Sequence, residues 1–184
     1  MKLYVYIDSC AWNYVIKHGI DLKKELPPQR YEIRVTTEVD IELAAIPAIG
    51  ADGSDKSDLK RSIQKLREQN TIKITRSFGF AAPYAGFGQA TFQSAQEREW
   101  HAKHYRADPP RKRKASGLPA GATDADLAGR AGDAVVLTAE SAQKPGPLKS
   151  AASEGKHVIF LGRDFESSGM SLGMYVAHRL RSSG

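Results

Sequence analysis

The sequence has little cysteine and no long hydrophobic run, and both shortages exclude classes of protein. Cys10 is the single cysteine among 184 residues, which excludes an internal disulfide and a cysteine-cluster metal site. No apolar stretch approaches the ~18 residues that cross a bilayer. The first apolar run meets Asp8 too early to be the core of a signal peptide. We therefore expect no membrane segment and a cytoplasmic location, with Cys10 a small core residue rather than a nucleophile.

Length and charge narrow the class further. A chain of 184 residues can bury about two-thirds of its surface without a covalent staple. We expect a single domain, 1–184, with an insertion or lid at about 77–122. The formal net charge is +6 and the pI is about 9.4, which favours an anionic partner such as nucleic acid.

The stretch from Leu3 to Asp8 is central to the predicted fold. Five apolar or aromatic residues run without a break and end at Asp8. Such a run is typical of a strand buried on both faces of a parallel sheet. Alternating strand and helix patterns continue over residues 31–75 and predict an α/β fold. Ligands bind beyond the carboxyl ends of the strands in such sheets, so Asp8 is either a ligand-facing carboxylate or a helix N-cap.

Three later acids occupy comparable places. Glu42 lies a full turn into a predicted helix. Asp133 stands before an apolar segment that we interpret as a helix, and Asp164 ends an apolar segment that we interpret as a second buried strand. If the sheet is parallel, the carboxyl ends of its strands share one edge. We therefore expect these three acids to converge with Asp8.

The chemistry of four converging acids points to a metal site. Carboxylates in one cleft repel one another unless cations neutralise them. Ligation by oxygen alone favours hard ions, here Mg²⁺ or Mn²⁺. Such a site beside a basic surface suits phosphodiester cleavage, because the metal activates water and stabilises charge on the attacked phosphate. The alternative is that the four acids are separate helix caps.

The predicted insertion has three features that bear on function. Its first part interleaves Phe and Tyr with Gly and Pro, a composition that suits stacking on bases or covering the core equally well. A predicted helix, 91–105, holds His101 and His104, which could share one face as metal ligands, although the spacing supplies no third ligand. The basic run is the candidate contact with RNA phosphates, or else ordinary solvated surface. It consists of Arg111, Lys112, Arg113 and Lys114.

Four short motifs, in their order along the chain, resemble those of PIN-domain ribonucleases. They are Tyr4-Val-Tyr-Ile-Asp8-Ser9, the segment from Val35 to Leu43, Asp133-Ala-Val-Val-Leu-Thr-Ala139, and Val158-Ile-Phe-Leu-Gly-Arg-Asp164-Phe165. The resemblance covers residues 1–75 and 123–170. It implies a three-layer α/β/α sandwich with a parallel central sheet and an Mg²⁺- or Mn²⁺-dependent acidic site. The implied catalytic residues and metal ligands are Asp8, Glu42, Asp133 and Asp164, with Ser9 contacting the nucleic acid.

The sequence departs from the family pattern at several places. Cys10 stands where the family commonly has asparagine, and Gly162 replaces a hydroxyl often found two residues before the last acid. Asp126 is therefore kept as a residue that could join or replace Asp164 at the metal. The insertion has no counterpart in the compact toxin members of the family, so the partners of those toxins are a poor guide to the partners of this chain.

Three functions remain open from the sequence. The leading hypothesis is a metal-dependent endoribonuclease acting on RNA. It includes the toxin of a toxin–antitoxin pair, with an antitoxin protein as partner, and allows for a homodimer. The second is a catalytically inactive nucleic-acid-binding module on the same fold. The third is a phosphotransfer or phosphatase domain with Asp8 as nucleophile, which requires a second aspartate where Cys10 stands.

Overall fold

The computed structural model describes residues 2–50, 52–77, 92–104 and 112–182. Over these ranges the chain alternates between strands and helices, as an α/β protein does. The strands are β1 (Leu3–Ile7), β2 (Tyr31–Thr36), β3 (Lys73–Thr75), β4 (Val135–Thr138) and β5 (Val158–Phe160). The helices are α1 (Ser9–Lys17), α2 (Leu22–Glu25), α3 (Thr37–Ala44), α4 (Ser57–Gln69), α5 (Ala95–His104), α6 (Ala122–Arg130), α7 (Pro147–Ser153), α8 (Arg163–Ser167) and α9 (Leu172–Ser182).

The described strands form one parallel sheet in the order β3-β2-β1-β4-β5. The middle strand is β1, where Val5 pairs with Ile33 of β2 on one side and with Val135 of β4 on the other. Val5 and Ile7 are fully buried. The apolar run that ends at Asp8 is therefore a central strand, which confirms the prediction from its composition.

Helices cover the sheet and give the three-layer α/β/α architecture that the sequence predicts. Helix α1 packs against α4, and α6 packs against both α5 and α7. Trp12 of α1 and Leu127 of α6 are fully buried in the same hydrophobic core as the sheet. Burial of both faces explains why β1, β4 and β5 are short apolar runs rather than alternating ones.

The segment after Asp133 is a strand, and its prediction as a helix was wrong. Residues Val135–Thr138 form β4, which pairs with both β1 and β5. A short apolar run cannot be assigned by periodicity alone, and two valines and a threonine favour a strand. Helix α6 precedes it. Asp133 consequently lies at the amino end of a strand instead of the first turn of a helix.

The described parts of the predicted insertion are packed against the rest of the domain. Helix α5 contacts α6, and Trp100 and His101 are buried. Residues 112–120 form a hairpin in which Arg113 and Pro119 bridge. The aromatic and glycine stretch 78–91 lies outside the described residues, so its predicted contact with bases stays a prediction. Among the described residues, no helix has the length and apolar character needed to cross a membrane.

Candidate functional site

The candidate site lies at the carboxyl edge of the central strands. Asp8 follows β1 directly and is the N-cap of α1, with its side chain accepting the backbone N–H of Ser9 at 2.6 Å. Thr36 ends β2 and caps α3 through a bond from the N–H of Val39. Helix α3 then carries Glu42 to the same edge. Asp8 is thus both a helix cap and part of the site, so the two readings of this residue are compatible.

Asp8 is buried and held by donors on both carboxylate oxygens. Besides the N–H of Ser9, it accepts the hydroxyl of Thr138 at 2.8 Å and the thiol of Cys10 at 2.9 Å. Burial raises the pKa of Asp8 above its usual value, and these bonds offset only part of that rise. The nearby charge of Glu140 raises it further. The chain therefore fixes this carboxylate in place while making its negative charge costly.

Cys10 supports Asp8 and is not poised as a nucleophile. Burial, and then the charge of Asp8, raise the pKa of the thiol to about 12. At neutral pH the group is a protonated donor, whereas nucleophilic cysteines require a lowered pKa. Its sulfur also accepts the N–H of Ala139 at 3.2 Å. Cys10 thus links the loop after β4 to Asp8.

Glu42 is saturated by three donors from different parts of the chain. Its Oε2 accepts the hydroxyl of Ser9 at 2.8 Å. Its Oε1 accepts the hydroxyl of Thr123 at 2.8 Å and the ammonium of Lys114 at 2.7 Å. Burial raises the pKa of Glu42, but the bonds from Lys114, Thr123 and Ser9 outweigh it, and the pKa lies below its usual value. Glu42 is therefore ionised at neutral pH.

Two further acids, Asp124 and Glu140, complete the group. Asp124 lies in the first turn of α6, and Glu140 follows the end of β4. Burial, followed by the charges of Asp8 and Glu140, raises the pKa of Asp124 to about 6. The charges of Asp8, Asp124 and Glu140 act on one another, and Lys114 connects Glu42 to the charges of Asp124 and Asp8. We call Asp8, Glu42, Asp124 and Glu140 the acidic cluster.

Two lysines partly neutralise the acidic cluster. Lys114 pairs with Glu42 and also lies near the charges of Asp124 and Asp8. Lys144 pairs with Glu140. With all four carboxylates ionised, these two ammonium groups leave two negative charges unbalanced. That excess matches the charge of one divalent cation.

The donor set of the acidic cluster fits a hard divalent ion. Carboxylate and hydroxyl oxygens predominate, and these are the ligands that Mg²⁺ and Mn²⁺ prefer. Over the described ranges, no three acidic, histidine or cysteine side chains are arranged to hold a metal ion as they stand. An ion would therefore bind with water completing its shell, as Mg²⁺ usually does, and with some rearrangement of the carboxylates.

The structure does not bring Asp133 or Asp164 into the acidic cluster. Asp133 is exposed and precedes β4, so it lies at the amino edge of the parallel sheet, opposite the acidic cluster. Asp164 is the second residue of α8, after β5 has ended at Phe160, and it is exposed. None of the hydrogen bonds or ion pairs among the described residues connects its carboxylate to Asp8 or Glu42. The structure therefore separates Asp133 from the acidic cluster, while the catalytic and metal-binding roles of Asp164 stay predictions.

Asp126 does not replace Asp164. It is fully buried and pairs with Arg130 at 3.1 Å, while also accepting the hydroxyl of Ser77 at 3.3 Å. Residues two apart on a helix point to nearly opposite sides, so Asp126 faces the core when Asp124 faces the acidic cluster. Asp126 belongs to a buried network that joins α6 to the end of β3.

The histidine pair does not form a metal site. The ring of His101 contacts the carbonyl oxygen of Ala125 at 3.0 Å and the amide of Gln93 at 2.9 Å. His104 instead lies 2.9 Å from the carboxylate of Glu154 and stacks on Trp100. The two rings therefore have separate partners, and the one-face interpretation from their spacing was wrong.

The predicted nucleic-acid contacts divide into three cases. Ser9 is engaged within the acidic cluster through Glu42. Lys112 and Arg113 are exposed on the hairpin, and Lys114 reaches Glu42. Arg111 lies outside the described residues. The described part of the basic run, Lys112–Lys114, is therefore adjacent to the acidic cluster. Binding of the run to RNA stays a prediction.

The sequence analysis missed Asp124 and Glu140 because it misassigned the elements that carry them. Apolar residues in Ala122–Arg130 recur at helical spacing, and Asp124 lies in the first turn, where acids are favoured. Once Val135–Thr138 is taken as a strand, Glu140 follows a strand end just as Asp8 does. Both signals are present in the sequence, but they depend on the correct assignment of β4.

Comparisons with known proteins do not identify a family. No family model matches the chain, and no curated protein matches it. Among solved structures, it is similar to a domain of a functionally unknown protein from Methanocaldococcus jannaschii DSM 2661. The identity is 16%, the TM-score is 0.42, and the match covers 88% of this chain and 92% of that one. So distant a likeness carries no argument about function, and the resemblance to PIN-domain ribonucleases stays a hypothesis.

Proposed function

We propose that the chain is a metal-dependent endoribonuclease that hydrolyses phosphodiester bonds at the acidic cluster. The observation that carries the proposal is the convergence of four carboxylates from separate elements at the carboxyl edge of β1, β2 and β4. Burial makes the charges of Asp8 and Asp124 costly without a cation. A protein that needed only helix caps at these positions would have no reason to place the four acids within range of one another.

The chain's own residues would hold the acidic cluster in a fixed geometry. Ser9 and Thr123 each donate a hydroxyl to Glu42, and Thr138 and Cys10 donate to Asp8. A bound Mg²⁺ or Mn²⁺ supplies an activated water and stabilises negative charge on the attacked phosphate. Burial and the charges of Asp8 and Glu140 raise the pKa of Asp124 to about 6. A nearby cation would therefore favour its charged form.

The charge distribution supports a polyanionic substrate. The whole chain has a net charge of +6, although the acidic cluster itself carries an excess of negative charge. Lys112 and Arg113 are exposed on the hairpin 112–120, whose Lys114 contacts Glu42. Basic side chains around a metal site bind the flanking phosphates, while the metal ion accepts the phosphate that reacts. The preference for RNA over DNA rests on the resemblance to PIN-domain ribonucleases.

The test is a cleavage assay with end-labelled single-stranded RNA, run in chelator and then across an Mn²⁺ and an Mg²⁺ titration. We expect cleavage that requires the cation. Asp124→Asn should reduce it by at least about 100-fold, since even outer-shell partners of metal ligands are worth 10–100-fold. Asp133 is a matched acid at the opposite edge of the sheet, and Asp133→Asn should retain cleavage. Cleavage in chelator, or equal loss in both variants, would refute the proposal.

One observation favours a catalytically inactive nucleic-acid-binding module as the second candidate. Lys114 forms a direct ion pair with Glu42. Such a pair is expected if the acidic cluster is a structural salt-bridge network. Such a module would bind RNA equally well in chelator and in Mn²⁺. Calorimetry that detects no Mn²⁺ binding, together with intact RNA binding, would decide for this candidate.

A further inference from the structure

The hairpin 112–120 inserts a lysine into the acidic cluster from a distant part of the chain. Lys114 and Glu42 are 72 positions apart, and the ammonium lies 2.7 Å from Oε1 of Glu42. The hairpin is closed by the N–H of Lys114 bonding to the carbonyl of Leu118 at 2.9 Å, and by Ala120 bonding to Lys112 at 2.8 Å. Leu118 is buried and anchors the turn. The position of Lys114 is therefore built into the fold.

Of the three donors on Glu42, Lys114 is the one that can leave. Ser9 and Thr123 donate short hydroxyls from α1 and α6, whose backbones are fixed by the helices. The side chain of Lys114 is 41% exposed, whereas that of Glu42 is 12% exposed. A long exposed side chain can swing into water while its hairpin stays in place. Glu42 therefore has one exchangeable partner, and that partner is a cation.

An ammonium and a divalent cation cannot both contact Glu42 without repelling each other. Both would contact the same carboxylate, and like charges within ~4 Å repel strongly in a partly buried site. The ammonium also lies near the charges of Asp124 and Asp8, which are the other groups that would approach the ion. Its location thus overlaps with the place where the acidic cluster would bind a metal.

We propose that Lys114 competes with the divalent cation for Glu42, so that the hairpin lowers the metal affinity of the acidic cluster until the lysine is displaced. This inference rests on the proposed metal-dependent function. It makes the hairpin an autoinhibitory element: metal binding and withdrawal of Lys114 from Glu42 are one exchange. Glu42 keeps a cationic partner throughout, because the metal ion arrives as the ammonium leaves.

The test is calorimetric titration of the metal-free protein with MnCl₂ at pH 7.5 in about 0.15 M salt, where the Debye length is about 8 Å. Lys114→Gln removes the charge but keeps a polar side chain, and we expect it to bind Mn²⁺ about five- to tenfold more tightly than the wild type. Lys114→Arg retains a cation at the same place and should bind no more tightly than the wild type. Lys112→Gln removes an equal charge from the same hairpin and should change the affinity by less than about twofold, since exposed charges are screened.

The outcomes separate this inference from the proposed function. Wild-type Mn²⁺ binding that Lys114→Gln leaves unchanged or weakens would overturn the competition alone. An equal gain in Lys112→Gln would mean that general charge is responsible, and would also overturn it. No Mn²⁺ binding by the wild type or any variant would overturn both the competition and the metal-dependent function.

Discussion

Burial of Asp124, together with repulsion from Asp8 and Glu140, predicts that Asp124→Asn stabilises the metal-free protein. The pKa of Asp124 rises from 3.8 to about 6 on folding. At about 1.4 kcal/mol per unit, the ionised side chain costs the folded state about 3 kcal/mol. The first turn of α6 offsets up to about 1 kcal/mol of that cost, because the helix dipole stabilises a negative charge there. Replacing the carboxylate by the isosteric amide should therefore raise the free energy of unfolding by about 2 kcal/mol.

The pH dependence of this gain has a definite sign. Because folding raises the pKa of Asp124, the folded state holds the proton more tightly than the unfolded chain does. No penalty exists below pH 3.8, the penalty grows as the pH rises from 3.8 to about 6, and it is complete above that. The advantage of Asp124→Asn should therefore be near zero at about pH 4 and full at about pH 7.5.

The assay is thermal unfolding followed by circular dichroism in chelator at both pH values. For a domain of this size, about 2 kcal/mol corresponds to roughly 4–8 °C in Tm. Asp133→Asn, an exposed acid outside the acidic cluster, is the matched control and should leave Tm unchanged. A lower Tm for Asp124→Asn at pH 7.5, or a gain that is the same at both pH values, would refute the charge penalty at Asp124.

Three further predictions address the site, the packing and the basic run. Asp8→Asn should abolish Mn²⁺-dependent RNA cleavage because this buried carboxylate belongs to the acidic cluster, whereas Asp164→Asn should retain it; the reverse result in the gel assay would restore the original assignment of the acids. Gly173→Ala should destabilise the protein by about 1–3 kcal/mol in urea denaturation, although alanine is normally the better helix former. The added Cβ would lie 2.2 Å from the carbonyl oxygen of Glu25, and a higher urea midpoint would contradict that packing. Replacing Arg111–Lys114 by serines should flatten the salt dependence of RNA binding by up to about 3 units of log K per log salt, at about 0.7 per phosphate contact; an unchanged slope would show that the run is ordinary surface.

The sequence determined the elements whose signals are local and strong. The unbroken apolar run that ends at Asp8 is typical of a buried strand, and the structure places it at the middle of the sheet. Thr36, a residue type favoured at N-caps, caps the helix that carries Glu42. These features follow from neighbouring residues, because a strand's burial and a helix's first turn are set within a few positions.

Tertiary structure decided the identity of half the acidic cluster. The periodicity of Val135–Thr138 does not distinguish a buried helix from a strand, and its pairing with β1 and β5 shows that it is a strand. That single assignment moves Asp133 to the far edge of the sheet and brings Glu140 to the near one, because the two ends of a strand lie at opposite edges. The contact between Lys114 and Glu42 spans 72 positions and left no local mark in either segment. Which charges meet at the site was therefore fixed by strand order and helix packing, which depend on distant parts of the chain.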